Sequence, residues 1–348
     1  MIIKMPDTTT DKIEARLIDL KQRGNAVALG RVLTLVILND DVSGILSTSR
    51  ALNRAGGSSE PDCDEAAIKA ANEASREHPS RILSLTGAKG EGAKLDAEVR
   101  IGGDAGASEV VVLTLTGELR KQTEPVITPL LVPDAPIVAW WPHRAPAIPS
   151  QDQVGRIAKL RITDAASSND GHAVLESRAA GYQPGDTDLA WTRLTGWRAQ
   201  LAAALDLPPA EAVKRAQVVG DPNNASVILL AGWLAVELGC PVVVQPVADT
   251  ATSRPGHSER NEDANATCIR AVTLSRKGGD VVFERPDANT LTIAQPGFPR
   301  RCVALPRLTL GDALIEELRR LDADRVYEKA LKQGVPLVTI AHDSSQRH

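Results

Sequence analysis

Residues 31–38 read RVLTLVIL, a run of aliphatic and β-branched side chains that is typical of a strand buried on both faces. Apolar residues at helical spacing precede this run at residues 10–21. An alanine-rich stretch at residues 64–77 predicts a second helix, and the apolar run at residues 81–86 predicts a second strand. Because helices alternate with apolar strands, we expect an α/β sheet that is covered on both faces.

The same alternation continues as far as a proline-rich stretch that we interpret as a domain boundary. Four further elements are predicted before it, namely the strands 94–101, 109–116 and 136–141 and a short, proline-interrupted helix at 124–132. Residues 142–153, PHRAPAIPSQDQ, contain three prolines and no apolar periodicity. We therefore predict an N-terminal α/β domain over residues 1–145 and a C-terminal α/β domain over residues 146–340.

The C-terminal domain is predicted to begin as an α/β layer and to end in an antiparallel meander with closing helices. The predicted helices are 173–181, 187–205, 224–238, 309–321 and 324–333. The predicted strands are 161–164, 241–246, 268–275, 281–285, 290–294 and 301–305. Residues 248–266 have almost nothing to bury and predict a mobile loop, and residues 341–348 predict a frayed tail.

The composition excludes several classes of protein. The chain has 348 residues, of which 43% are hydrophobic and 24% charged, as in a folded globular protein long enough for two domains. A formal net charge of −4 is too small to favour nucleic acid as a partner. No run approaches the roughly eighteen apolar residues of a membrane span. Residues 1–11 do not resemble a signal peptide, so the cytoplasm is the expected compartment.

Common catalytic and cofactor motifs are missing from the sequence. Residues 87–94, GAKGEGAK, lack the Gly-Lys-Ser/Thr ending of a phosphate loop. Residues 102–106 are glycine-rich but lead into a β-branched run rather than a helix, so a hairpin is the simpler interpretation. Neither G-x-S-x-G nor H-E-x-x-H occurs, and the six histidines are scattered. We therefore predict no catalytic residue, no metal and no cofactor.

The four cysteines are expected to be ordinary thiols. Cys63, Cys240, Cys268 and Cys302 match no paired metal-ligand spacing and form no C-x-x-C motif. The alternative is a thiol sensor that acts through Cys240, Cys268 or Cys302.

Asp186 and Asp188 form an Asp-x-Asp pair that has two interpretations. Such a pair holds a metal ion in a nucleotide-sugar transferase. An acidic residue directly before an apolar-periodic run is also typical of a helix cap, because its carboxylate accepts hydrogen bonds from the free N–H groups. We favour the cap, and we expect Asp322 and Asp324 to act in the same way.

Residues 182–205, YQPGDTDLAWTRLTGWRAQLAAAL, predict a helix with one buried face and with Trp191 and Arg198 beside that face. A helical projection places one set on a common face that we expect to be buried, namely Ala190, Leu194, Trp197, Leu201 and Leu205. Trp191 and Arg198 are seven residues apart and share the flank of this face. Either both contact a partner, or Trp191 widens the core and Arg198 pairs with a surface acid.

Trp140 and Trp141 end the predicted strand 136–141. Successive strand residues point to opposite faces, so one core takes only one of the indoles, unless the sheet is covered on both sides. Crevices in α/β sheets lie beyond the carboxyl ends of the strands, and we therefore predict a pocket or docking edge at this point. The predicted pocket residues are His78, Arg81, Trp140, Asp186 and Asp188.

Long blocks of the sequence resemble one bacterial family. The blocks are MPDTTTDKI, GNAVALGRVLTLVI, ANEASREHPSRIL, LDAEVRIGGDAGASEVVVL, PDAPIVAWWP, LAGWLA, RRLDADRVYEKAL and the segment 182–205 quoted above. Together they run from Met5 to Leu331 and resemble the glucose-6-phosphate dehydrogenase assembly protein family, OpcA. Several blocks are long and unusual, so the likeness is more specific than any short motif.

The resemblance implies a non-catalytic protein that binds glucose-6-phosphate dehydrogenase and promotes its assembly or activation. It thereby implies a role in the oxidative pentose phosphate pathway and in NADPH supply. From the residue patterns, the expected partner contacts are Trp141, Trp191, Arg193 and Arg198, since tryptophan and arginine dominate binding energies at interfaces. The alternative is a sugar-phosphate or nucleotide-sugar binding enzyme, or a degenerate enzyme of that type, on an α/β fold.

Overall fold

The chain forms two β-sheets with helices packed against them, in a computed structural model that describes residues 1–22, 32–39, 60–101, 109–208, 210–247 and 269–341. The predicted mixed α/β class, with a C-terminal meander and closing helices, is confirmed. The predicted loop 248–266, the glycine-rich turn 102–106 and all of the predicted tail except Ala341 lie outside the described residues.

The first sheet contains eight strands. They are β1 (Ile2–Met5), β2 (Leu33–Leu38), β3 (Ser80–Ala88), β4 (Ala93–Ile101), β5 (Glu109–Gly117), β6 (Ile137–Trp140), β7 (Leu160–Thr163) and β8 (Asp186–Asp188). Their spatial order is β1-β4-β5-β3-β2-β6-β7-β8. Strands β5, β3, β2, β6 and β7 run parallel to one another, whereas β4 pairs antiparallel with both β1 and β5.

The second sheet contains seven strands. They are β9 (Arg215–Val219), β10 (Val242–Gln245), β11 (Ala271–Ser275), β12 (Val281–Glu284), β13 (Thr290–Ala294), β14 (Arg301–Ala304) and β15 (Val338–Ile340). Their order is β14-β13-β12-β11-β9-β10-β15. Strands β11 to β14 form the predicted antiparallel meander, and β9, β10 and β15 run parallel beside it. Strands β1, β9 and β15 fall in no predicted element.

The helices follow the predicted positions for the most part. They are α1 (Thr10–Gln22), α2 (Glu60–Ala74), α3 (Thr123–Ile127), α4 (Gln153–Ile157), α5 (Gly171–Gly181), α6 (Leu189–Thr192), α7 (Thr195–Leu205), α8 (Ala225–Leu238), α9 (Leu310–Leu318) and α10 (Arg325–Lys329). Helix α10 continues into a π-helical turn at Ala330–Gly334. Within the described ranges, none of the helices has both the length and the apolar character that a bilayer crossing requires.

Strand β2 lies in the middle of the first sheet and shows why RVLTLVIL is so uniformly apolar. All six of its residues are buried, as expected for a parallel strand that is covered on both faces. From helix α1, the side chains of Ile13, Leu17 and Leu20 are 0–2% exposed and join the same apolar core. The helical periodicity of residues 10–21 therefore faces the core, as predicted.

The chain passes repeatedly between two compact units. The first contains Met1–Asp164, Gly185–Thr187 and Leu310–Ala323, and the second contains Ala165–Pro184, Asp188–Thr309 and Asp324–His348. The chain first leaves the first unit at Asp164 rather than at the predicted boundary after residue 145, because β7 pairs in parallel with β6. Helix α9, which we had expected in the C-terminal domain, belongs to the first unit, where it packs against α2.

The prediction of one long helix over residues 187–205 is wrong. Residues Asp186–Asp188 form strand β8, and two helices follow it, α6 and α7. The helices are separated by a tight turn in which the Leu194 N–H donates to the Trp191 carbonyl at 2.9 Å. The Thr195 hydroxyl also donates to the Thr192 carbonyl at 2.8 Å, so a polar side chain competes with the regular helical pattern at this break.

Replacing Gly232 in α8 by alanine is expected to destabilise the protein by about 1–3 kcal/mol, because it overpacks a close approach. A Cβ at this position would lie 2.8 Å from the Val335 backbone N and 2.9 Å from the Gly334 carbonyl C. The control is Gly311→Ala in α9, whose Cβ would meet only the movable side chain of Glu73. Urea unfolding of both variants measures the difference. Stabilisation of both by about 1 kcal/mol, the usual gain in a helix, would contradict the close approach.

Candidate functional site

The structure brings Trp191 and Arg198 into direct contact. Helix α6 begins after Asp188, whose carboxylate accepts a hydrogen bond from the Ala190 N–H at 2.8 Å. Trp191 lies in α6 and is 1% exposed. Arg198 lies in α7, and its guanidinium carbon is 3.7 Å from the centre of the Trp191 ring. This is a cation–π contact. The two side chains meet across the break between α6 and α7, whereas the prediction placed them along the flank of one helix. The burial of Trp191 agrees with the alternative in which it widens the core.

Two tyrosines and an aspartate complete the surroundings of this indole, and we call Tyr182, Trp191, Arg198, Asp324 and Tyr327 the Trp191 cluster. The Trp191 and Tyr327 ring centres are 5.8 Å apart, and Tyr327 meets Tyr182 edge-on at 6.2 Å. Aromatic pairs of this kind contribute about 0.5–1.5 kcal/mol each beyond the area they bury. The indole is therefore held by Tyr327 as well as by Arg198.

Asp324 performs two tasks within the Trp191 cluster. One carboxylate oxygen accepts the Trp191 indole N–H at 2.8 Å. The other accepts the backbone N–H groups of Val326 and Tyr327 at 2.8 and 3.0 Å, so Asp324 is the N-cap of α10, as predicted. A negative charge at a helix N-terminus is also favoured by the helix dipole. The start of α10 and the position of the indole therefore depend on the same side chain.

The Trp191 cluster contains one cationic side chain, and two further cationic residues lie close to its members in the sequence or in space. Arg198 is half-buried and donates to the Thr195 hydroxyl at 3.1 Å. Arg193, at the end of α6, is also half-buried. Lys332 is exposed, with its ammonium 5.7 Å from the Tyr182 ring centre and 3.3 Å from a Glu328 carboxylate oxygen. A guanidinium group holds its N–H donors in one plane, an arrangement suited to carboxylate and phosphate.

Tyr182, Tyr327 and the contact of Asp324 with the indole were not predicted from the sequence. A compositional signal was present, because the chain contains only two tyrosines and both lie in the Trp191 cluster. The contact of Asp324 could not be predicted, since it joins residues that are 133 positions apart.

Trp140 and Trp141 are both buried in the structure, at 0% and 1% exposure. This agrees with the alternative in which a doubly covered sheet takes both indoles. Their indole N–H groups have no hydrogen-bond partner in the described part of the chain. Neither ring lies at the surface, so in this conformation neither is available for direct contact with a partner.

The predicted proximity of Arg81 and Trp140 is wrong. Arg81 is the second residue of β3, and its register partner Thr34 in β2 pairs with Ile137. Trp140 pairs with Ile37, three residues further along β2. At about 3.3 Å per residue, the two positions are roughly 10 Å apart along the sheet, towards opposite ends. A pocket at the carboxyl end therefore does not include Arg81.

Arg81 and His78 have structural contacts instead. The Arg81 guanidinium is buried, lies 3.0 Å from a Glu109 carboxylate oxygen and donates to the Leu130 carbonyl at 2.7 Å. His78 is half-buried, with Nε2 at 3.1 Å from the Ile315 carbonyl oxygen of α9. Both side chains thus connect elements of the first unit.

Asp186 and Asp188 are both buried, but they have different kinds of partner. Asp186 forms an ion pair with Arg161. Asp188 accepts hydrogen bonds from the backbone N–H groups of Ala190 and Ala165, the latter at 3.0 and 3.1 Å. The cap interpretation is therefore confirmed for Asp188 and wrong for Asp186. Among the described residues, no group of three or more His, Cys, Asp or Glu side chains is placed to hold a metal ion.

Cys240 and Cys302 carry free thiols. Burial raises the pKa of the Cys240 thiol, which lowers its fraction of nucleophilic thiolate at neutral pH. Cys302 is exposed on β14, and Cys268 lies outside the described residues.

Substitution of Asp324 by alanine is expected to lower the free energy of unfolding by about 2 kcal/mol or more, because it removes a helix cap and leaves a buried indole N–H unpaired. The control is Asp322→Ala. The Asp322 side chain is 86% exposed and forms a surface ion pair with the Lys159 ammonium at 3.3 Å, an interaction that contributes little to stability. This second change should stay within about 0.5 kcal/mol. Denaturant unfolding measures both, and equal effects would contradict the double role of Asp324.

Comparison with known proteins identifies a family over most of the chain. Residues 71–180 match the glucose-6-phosphate dehydrogenase subunit N-terminal domain, and residues 184–331 match the C-terminal domain of the same subunit. No curated protein matches the chain. The two family matches follow one another in order and fall on both compact units.

Likeness to solved structures is weak. KijD10, a 3-ketoreductase from Actinomadura kijaniata in complex with NADP, is 10% identical with a TM-score of 0.40, and the match covers 89% of this chain and 99% of that one. A trehalose-6-phosphate structure from E. coli, bound with UDP-2-fluoro glucose, is 11% identical with a TM-score of 0.21 and coverage of 61% and 64%. These scores are too low to indicate a shared function.

The two domain matches span most of the described chain, from the end of α2 through α10. These two matches show that the chain belongs to the OpcA family of glucose-6-phosphate dehydrogenase assembly proteins.

Proposed function

We propose that this protein is a cytoplasmic, non-catalytic assembly factor that binds glucose-6-phosphate dehydrogenase and favours its active oligomeric state. The observation that carries the proposal is the family match over residues 71–180 and 184–331, since both matched domains are named as parts of a glucose-6-phosphate dehydrogenase subunit. By activating the dehydrogenase, the protein supports the oxidative pentose phosphate pathway and NADPH supply.

Binding alone suffices for activation of this kind. A ligand shifts an equilibrium between two states by as much as its affinities for them differ. A preference of about 1–3 kcal/mol for the active form changes the ratio of the two populations about 5- to 150-fold. No bond-making step in the assembly factor is needed for such an effect.

We place the contact with the dehydrogenase at the Trp191 cluster, with Arg193 and Arg198 as the contacting side chains. Both are half-buried, so part of each side chain is open to a partner, and arginine is among the residues that dominate binding energies at interfaces. Trp191 is buried and acts as a positioning residue, because its ring centre lies 3.7 Å from the guanidinium carbon of Arg198. Trp141 is buried in the core of the first unit and contributes through the stability of that unit. The complementary groups on the dehydrogenase are carboxylates.

Titration of the purified protein into its cognate dehydrogenase tests the proposal. We expect a larger oligomer by light scattering and a change in kcat or KM that saturates with added protein. An unchanged oligomeric state together with unchanged kcat and KM at saturation would discard the proposal. Turnover of a sugar phosphate or nucleotide sugar by the isolated chain, lost on a single substitution, would favour the enzyme alternative instead.

The variant Arg198→Ala is expected to weaken binding to the dehydrogenase by about 2 kcal/mol, or roughly thirtyfold in Kd. Arg198→Lys should recover only part of this loss, because an ammonium group cannot stack flat on the indole or donate two parallel hydrogen bonds. The matched control is Arg301→Ala, an exposed arginine on β14.

Calorimetric titration of the three variants into the dehydrogenase measures these differences, with the thermal midpoint of each variant as a check on folding. If Arg198→Ala and Arg301→Ala bind like the unsubstituted protein, the contact lies elsewhere on the surface.

A further inference from the structure

The second sheet has one buried face and one face that is open to solvent. In five neighbouring strands, β10, β9, β11, β12 and β13, buried residues alternate with residues that are half-exposed or exposed. The buried set, which includes Val218 and Val272, belongs to the same apolar core as helix α8. Successive strand residues point to opposite faces, so the other set lies together on the side away from α8.

The strand register shows which residues are neighbours on this second face. Directly paired residues of adjacent strands point to the same face. One row consists of Val243, Gln217, Thr273, Val282 and Ala294, and the row beside it of Gln245, Val219, Ala271, Glu284, Thr292 and Cys302. We call these two rows the open face.

The open face is almost uncharged. Its only charged residue is Glu284, whose carboxylate pairs with the Arg300 guanidinium at 2.6 Å. Strand β4 of the first sheet also alternates, but its outward-facing residues are all charged, namely Lys94, Asp96, Glu98 and Arg100. Depletion of charged residues is the compositional signal of the core of a protein–protein interface. The open face therefore has the composition of a surface that another protein covers.

The charge and size of the open face suit a second copy of this chain. Because Glu284 and Arg300 balance each other within one copy, two open faces meet without repulsion between like charges. The rows cross six strands, and at about 4.8 Å between strands and 3.3 Å per residue each face measures roughly 450 Å² in projection. Two faces together approach the total of about 1,000 Å² that a specific interface requires, and interdigitated side chains bury more than the projection.

We propose that the protein forms a homodimer in which the open faces of two copies pack against each other about a two-fold axis. A two-fold contact uses the same patch on both copies, and two identical twisted sheets pack face to face in this way in β-sandwiches. Thr273 is the middle residue of β11, which is the middle strand of the sheet, so it lies close to the axis. Trp191 packs in the core on the α8 side. The homodimer and the contact with the dehydrogenase therefore use different surfaces, and neither proposal depends on the other.

Sedimentation equilibrium of the full chain over a range of concentrations tests the homodimer. We expect the mass to rise to twice that of one chain as the concentration increases. A single-chain mass at every concentration overturns the proposal.

The variant Thr273→Arg places two guanidinium groups close together at the axis and should weaken self-association at least about tenfold. The control Thr114→Arg makes the same change at a half-exposed position of β5, where the neighbouring strand offers Asp96, and should leave self-association unchanged. The thermal midpoint of each variant checks its folding. Equal self-association of the two variants overturns the proposal.

A mixture of Thr273→Arg and Thr273→Glu chains distinguishes a contact at the axis from a loss of stability. Opposite charges then meet across the axis, so the mixture should associate more tightly than either variant alone. Failure of the mixture to do so overturns the proposal. So does a loss of dehydrogenase binding in Thr273→Arg when the unsubstituted protein is monomeric, because the open face then serves the dehydrogenase.

Discussion

A buried carboxylate organises the region around the candidate site. Asp188 is 0% exposed and accepts hydrogen bonds from the N–H groups of Ala165 and Ala190. Removing a charge from water is costly unless it is fully hydrogen-bonded, so the chain must bring these backbone donors to the same side chain. The beginning of α6 is thereby fixed, and Trp191, three residues after Asp188, is fixed with it. The stacking of Arg198 and the bond to Asp324 both require this placement.

The same constraint explains why charged residues that suggest chemistry in the sequence turn out to be structural. Asp186 pairs with Arg161, and Arg81 pairs with Glu109, all four being 8% exposed or less. Breaking such a pair costs about 3–5 kcal/mol, because one charge is left buried and alone. Buried pairs of this kind specify which elements meet. Their presence in a sequence is therefore poor evidence of catalysis until their partners are known.

Local pattern predicted the layers of this fold but not the connections between them. The positions of β2 and α8 were predicted correctly because each is a continuous run of apolar residues. The meander β11 to β14 was predicted correctly because short apolar strands are separated by polar and turn-forming residues. The break between α6 and α7 was missed because local bonds of Leu194 and Thr195 interrupt an apolar pattern that continues across it. The start of the helical segment after strand β8 was missed, since it depends on a tertiary bond of Asp188 that periodicity does not record. For the same reason the sequence did not place α9 in the first unit, nor Arg81 and Trp140 towards opposite ends of their sheet.

Trp191 and Arg198 contact each other in the structure, but they differ in burial, and their part in an interface stays a prediction. A free arginine side chain carries about 2 kcal/mol of rotamer entropy, part of which is lost on binding. Arg198 loses part of this freedom within the folded chain, because the Trp191 ring and the Thr195 hydroxyl already hold it. In the contact proposed above, a partner therefore gains affinity from Trp191 without touching it. An interface anchor that looks like two exposed side chains in a sequence can thus be one half-buried cation and one buried support.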